Sequence, residues 1–108
     1  MDIKDFKKFV QGLTETDFDS DEPHISQRCE ENEISKDEVI DTILHQSDKL
    51  VRIVKDRPNV YKFYYKMSKH TELKVFIEFT APRKILLLTV KKLTDKFRLG
   101  RISRKNRF

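Results

Sequence analysis

The strongest constraint on this chain is the alternation of residue character between Val60 and Val90. Val60, Lys62, Tyr64 and Lys66 interleave with Tyr61, Phe63, Tyr65 and Met67. A strand would therefore turn one mostly apolar face inward and show a face of lysines around a tyrosine. After the polar turn Ser68-Lys69-His70-Thr71, a second run places Leu73, Val75, Ile77 and Phe79 on one side and Lys74, Phe76 and Glu78 on the other. Ala81-Pro82-Arg83-Lys84 turns the chain again, into Ile85 to Val90. That run is apolar on both sides and predicts an interior strand.

The residues before this meander have helical spacing. Ile3, Phe6, Phe9, Val10 and Leu13 recur every three or four positions, a single stripe in a first helix. Gly12 and the acidic run Glu15 to Glu22 predict a linker. Its oxygen ligands invite a calcium loop, but the glycine and terminal glutamate of that signature are missing, and a solvated acidic loop is the expectation. Pro23 opens a second helix, His24 to about Asn32. Ser35-Lys36-Asp37-Glu38 has the serine and glutamate of a capping box, and Val39, Ile40, Ile43 and Leu44 follow as the apolar stripe of a third helix. Lys49 to Lys55 resumes in extended style, and Asp56-Arg57-Pro58-Asn59 is turn-forming. The predicted class is α+β, with N-terminal helices packed on one face of a four-stranded antiparallel sheet. Leu93 and Phe97 are spaced for a short helix after Val90. The expected organisation is one domain over residues 1–98 and a basic, flexible tail over 99–108, which has too little apolar content to offset ordering entropy.

Charge is divided unevenly along the 108 residues. Residues 1–47 hold 5 Lys and Arg against 13 Asp and Glu, a balance of −8; residues 48–108 hold 18 against 5, a balance of +13. Such a basic half recruits polyanions through counterion release, whatever their sequence. Two bland alternatives stand beside this: the acidic half packs on the basic half and cancels its field, or the tail merely solubilises. No apolar run approaches the roughly 20 residues of a membrane helix. The start of the chain lacks a secretory pattern and Cys29 has no partner for an internal disulfide, so a cytoplasmic location is expected. His24, His45 and His70 with one cysteine give no zinc spacing. Gly12 and Gly100 alone make no phosphate loop or dinucleotide fingerprint, and no nucleophile elbow is present, so neither metal nor cofactor is expected.

From His24 to Val90 the chain resembles small prokaryotic proteins related to RelE-like and BrnT-like toxins. The resemblance rests on His24 and Arg28, four apart, leading into Glu31-Asn32-Glu33-Ile34-Ser35-Lys36-Asp37-Glu38-Val39 and then the strands. It covers about two-thirds of the chain. It implies a RelE-like sheet with helices on one face and, in the better known members, metal-independent RNA cleavage, often with an antitoxin partner. Such chemistry needs cations where charge develops and an acid or base within hydrogen-bond reach. His24, Arg28 and Tyr64 are the candidate catalytic residues. Lys62, Lys66, Lys91, Lys92, Arg98, Arg101, Arg104, Lys105 and Arg107 are the candidate nucleic-acid contacts.

Each candidate has a plainer reading. His24 at a helix start can be a surface or capping histidine, Arg28 can simply pair with Glu31, and Tyr64 can be an ordinary outer-face tyrosine. Between two lysines, Tyr64 can equally stack a base, because an aromatic face accepts any base and lysines follow phosphates. The alternative to an RNA-binding protein is a non-catalytic module that docks a protein partner or a second copy of itself.

Overall fold

The computed structural model describes residues 1–94. Three helices, α1 (Ile3–Val10), α2 (His24–Glu31) and α3 (Lys36–His45), lie against a five-stranded sheet. The strands are β1 (Phe18–Ser20), β2 (Leu50–Arg57), β3 (Val60–Ser68), β4 (Thr71–Ala81) and β5 (Lys84–Thr94), in the order β1-β5-β4-β3-β2. The α+β class and the helices against the sheet agree with the expectation. The strand count and the purely antiparallel pairing do not: β1 joins the meander parallel to β5, opposite Ile85, Leu86 and Leu87.

The local rules explain most element ends. Asp2 caps α1 by accepting the Asp5 N–H at 2.8 Å. Ser35 accepts the Glu38 N–H at 3.0 Å while the Glu38 carboxylate accepts the Ser35 N–H at 3.4 Å, so both halves of the capping box form at α3. Helix α2 ends differently. Glu33 sits at φ 55°, and the Ile34 N–H reaches back to the Cys29 carbonyl at 3.0 Å. This is the left-handed helix ending usually given to glycine, made here by a residue that carries a Cβ.

One core fills the space between the helices and one sheet face. Phe63 and Tyr65 of β3, Leu73, Val75 and Ile77 of β4, and Ile85, Leu87 and Val90 of β5 meet Phe6, Val10, Ile25, Cys29, Val39 and Ile43 from the helices. Phe6 anchors α1, its ring centroid 4.3 Å from that of Phe63, and Phe9 meets Phe79 edge-on at 5.5 Å. Truncating a fully buried ring such as Phe6 to alanine removes about 3–5 kcal/mol of stability.

Three further expectations are corrected. The acidic run is not simply a loop: Glu15–Asp17 makes one 3₁₀ turn, Phe18–Ser20 forms β1, and the Asp21 N–H continues the pairing to the Leu87 carbonyl at 3.0 Å. Phe18 packs against the core, which holds the strand in place. Residues Lys91 to Thr94 are strand rather than the start of a helix, because β5 pairs with β4 out to Thr94 opposite Thr71. And β5 is interior only along Ile85–Leu87; the middle of the sheet is β4. The boundary at residues 98 and 99, and the candidates Arg98, Arg101, Arg104, Lys105 and Arg107, lie outside the described residues.

Candidate nucleic-acid interface

The sheet face opposite the helices carries the polar positions of the meander in fixed register. Arg52, Tyr64, Lys74 and Lys91 lie side by side across β2, β3, β4 and β5. The neighbouring row, two residues along each strand, is Val54, Lys62, Phe76 and Thr89. Tyr64 and Phe76 are therefore diagonal neighbours, and Lys62 and Lys74 occupy the other diagonal. Cations sit close to both rings: the Arg52 guanidinium lies 4.0 Å and Lys74 Nζ 5.9 Å from the Tyr64 ring centre. Lys62 Nζ and Lys74 Nζ are 5.3 and 5.0 Å from that of Phe76. Lys62, Tyr64, Lys74 and Phe76 are all partly exposed.

Beyond β5 the face ends in a wall. His24, Arg28, Glu31 and Asn32 of the α2 region join Lys74, Phe76, Thr89 and Lys91 around a concavity of about 560 Å³. Helix α2 is held at this border by Asn32, whose side chain bonds the β5 backbone at Val90 and Lys92. The turn-by-turn spacing of His24 and Arg28 puts both on the helix flank that overlooks the sheet. Arg28 is fixed by Glu31, at 2.8 Å, with 46% of its side chain exposed, so the guanidinium is positioned but still reachable. Three cations, Arg28, Lys74 and Lys91, face one carboxylate, Glu31, in the lining.

The structure thus brings His24, Arg28 and Lys91 together, with Lys62 and Tyr64 on the adjoining face. Tyr64 does not line the concavity; Lys74 stands between them. Lys66 belongs to the same strand face, and its ammonium donates to the Lys69 carbonyl at 3.0 Å in the β3–β4 turn. Lys92 is turned away, paired across the sheet with the core residue Leu73, and its Nζ lies 3.5 Å from the Glu33 carbonyl. His70 is in the β3–β4 turn, and His45 in the last turn of α3 lies beside Lys7 and Val10, away from this face. Cys29 is buried in the core, where burial, and then the nearby Glu22 carboxylate, push its thiol above the usual range.

Arg52, Lys74 and Phe76 are additions to the sequence-based candidates. Lys74 and Phe76 were legible from the alternation along β4, since they share a parity opposite to Leu73 and Val75. Arg52 has no such signal, because its side of β2 depends on the register shift between Leu50 and Arg52.

The pairs Arg28–Glu31 and Lys36–Glu22 are internal to the N-terminal half, and Arg52–Glu72, Arg57–Asp56 and Lys62–Asp56 to the C-terminal half. Arg83 and Lys84 reach the N-terminal half through backbone, donating to the carbonyls of Gly12 and Thr16. Among the described residues no cluster of His, Cys, Asp or Glu could hold a metal ion, and no helix is long and apolar enough to cross a membrane. No family model, curated protein or solved structure matches the chain.

Proposed function

We propose that the protein binds RNA on the sheet face opposite its helices. The observation that carries this reading is the diagonal of Tyr64 and Phe76 crossed by the diagonal of Lys62 and Lys74. Aromatic faces take bases of any identity, and the ammonium groups beside them donate to the phosphates that join those bases. Lys91 extends the positive surface toward α2. The cations Arg98, Arg101, Arg104, Lys105 and Arg107 add long-range attraction through the charge of the sequence. Retention of single-stranded RNA at low salt, falling steeply as salt rises, is the expected result. Each neutralised phosphate contact lowers the slope of log affinity against log salt by about 0.7. A protein that retains no RNA even at low salt does not have this function.

A second reading, metal-independent RNA cleavage of the toxin type, is favoured by the meeting of His24, Arg28 and Lys91 in one concavity. In that reaction the ribose 2′-oxygen forms a bond to phosphorus as its proton passes to the His24 imidazole. Arg28 stabilises the phosphorane charge, and the departing 5′-oxygen takes a proton from an ammonium of the lining. An antitoxin-like protein would then act by covering this face. Incubation of a long RNA with chelator separates the readings. Cleavage that His24→Ala and Arg28→Ala abolish supports the enzyme, and RNA left intact by the unaltered protein leaves binding alone. Tyr64→Phe should reduce affinity little, since its ring remains.

A further inference from the structure

The register of the sheet and the position of α2 define more than a general affinity for RNA. Tyr64 and Phe76 are diagonal neighbours on adjacent strands, a separation of roughly 7–8 Å between backbone positions. Two successive bases can therefore lie one on each ring only if they are unstacked from their own neighbours, which a duplex does not permit. At Tyr64 the Arg52 guanidinium covers one ring face, 4.0 Å from the ring centre, and a base can stack on a guanidinium plane as well as on an aromatic one. Phe76 stands both in this diagonal and in the lining of the concavity. A base resting on it has its sugar and phosphate directed either back over Lys62 and Lys74 or onward toward Arg28 and Lys91. The onward route meets the cations Arg28 and Lys91 with the Glu31 carboxylate, and α2 borders it at the sheet edge.

We infer that the ligand is a single-stranded two-nucleotide step, with one base on the Arg52–Tyr64 pair, the other on Phe76, and the adjoining phosphate in the concavity walled by α2. This rests on the RNA reading and adds to it a strandedness, a length and a phosphate position. Glu31 acts against binding here: its carboxylate neutralises Arg28 at 2.8 Å and must share that guanidinium with an incoming phosphate.

The test uses the full chain and adenine oligonucleotides followed by calorimetry at low salt. The dinucleotide ApA is compared with its 5′-phosphorylated and 3′-phosphorylated forms. One phosphorylated form is expected to bind at least about tenfold tighter than ApA, and which one does so gives the polarity of the strand. That gain is lost in Arg28→Gln and Lys91→Gln and enlarged in Glu31→Gln. Phe76→Leu, which keeps an apolar side chain without a ring, weakens all three ligands together. A decamer of adenylate binds, and the same decamer paired with its complement binds far more weakly. Equal affinity for the three dinucleotides, or a duplex bound as well as the single strand, overturns this inference while leaving RNA binding intact. Failure of the decamer to bind at all overturns both.

Discussion

Asn32 and Lys92, sixty residues apart, are joined by a side chain acting as a piece of strand: Asn32 Oδ1 accepts the Lys92 N–H at 2.9 Å. Its Nδ2 donates to the Val90 carbonyl at 3.2 Å and to the Arg28 carbonyl at 2.7 Å. One carboxamide thus satisfies the edge of β5 where β1 has already ended, and it ties the end of α2 to that edge. An aspartate keeps the acceptor but turns a second oxygen toward two carbonyls, so Asn32→Asp is expected to cost about 2–3 kcal/mol and Asn32→Ala about 1–2 kcal/mol. Urea unfolding measures both, and amide exchange at Lys92 should accelerate in each. Unchanged exchange would mean that the side chain does not close this edge.

Glu33, the next residue, holds φ 55° at the end of α2. A Cβ in that region is unfavourable by about 1–2 kcal/mol, and glycine avoids the penalty, although glycine also makes the unfolded chain more flexible. Glu33→Gly should therefore raise stability by about 0.5–1 kcal/mol, seen as a higher urea midpoint at unchanged slope. A fall in midpoint would show that the Glu33 side chain contributes more than its backbone costs.

These two residues mark where the sequence stops being informative. The strands β3 and β4 could be read because each is covered on one face by helices and open on the other, so burial writes a period of two into them. The capping box at Ser35 and Glu38 could be read because both partners lie within one turn. Strand β1 could not: Phe18-Asp19-Ser20 pairs through its backbone with Ile85–Leu87, and three residues are too few to show a period. Asn32 looked like a helix end because its partner is a backbone distant in sequence. The meeting of His24 and Arg28 with Lys91 depends on that same long-range contact, so their spacing could nominate them but not bring them together. Phe76 was assigned its face correctly, yet its weight in the site comes from the register with Lys62, which turn lengths set.

Phe76 also separates packing from recognition. Its ring is on the face opposite the core, with the Lys62 and Lys74 ammonium groups 5.3 and 5.0 Å from its centre. Phe76→Leu should leave the thermal midpoint within a few degrees of the original. It should weaken RNA binding by about 1–3 kcal/mol, the value of one stacked base. Filter binding at fixed low salt measures the loss. The salt slope should stay the same, because no phosphate contact is removed; a changed slope would assign the effect to displaced lysines.

Tyr65 is the counterpart of Phe76 on the buried face. Its side chain is fully enclosed and its hydroxyl oxygen finds no hydrogen-bond partner among the described residues. Burial holds this phenol far above the ordinary value of about 10. Above that pH the unfolded chain releases the Tyr65 proton while the folded chain retains it, so the unfolded state binds fewer protons and stability falls as pH rises. Tyr65→Phe removes an unsatisfied hydroxyl from the core, and the expected effect at neutral pH is between no change and a gain of about 1–2 kcal/mol. The variant should also lose less stability than the original protein between about pH 10 and 11, since the missing phenol no longer titrates in the unfolded state. Urea unfolding at neutral and alkaline pH supplies both comparisons. A destabilised Tyr65→Phe with an unaltered alkaline slope would mean that the hydroxyl has a partner in solution.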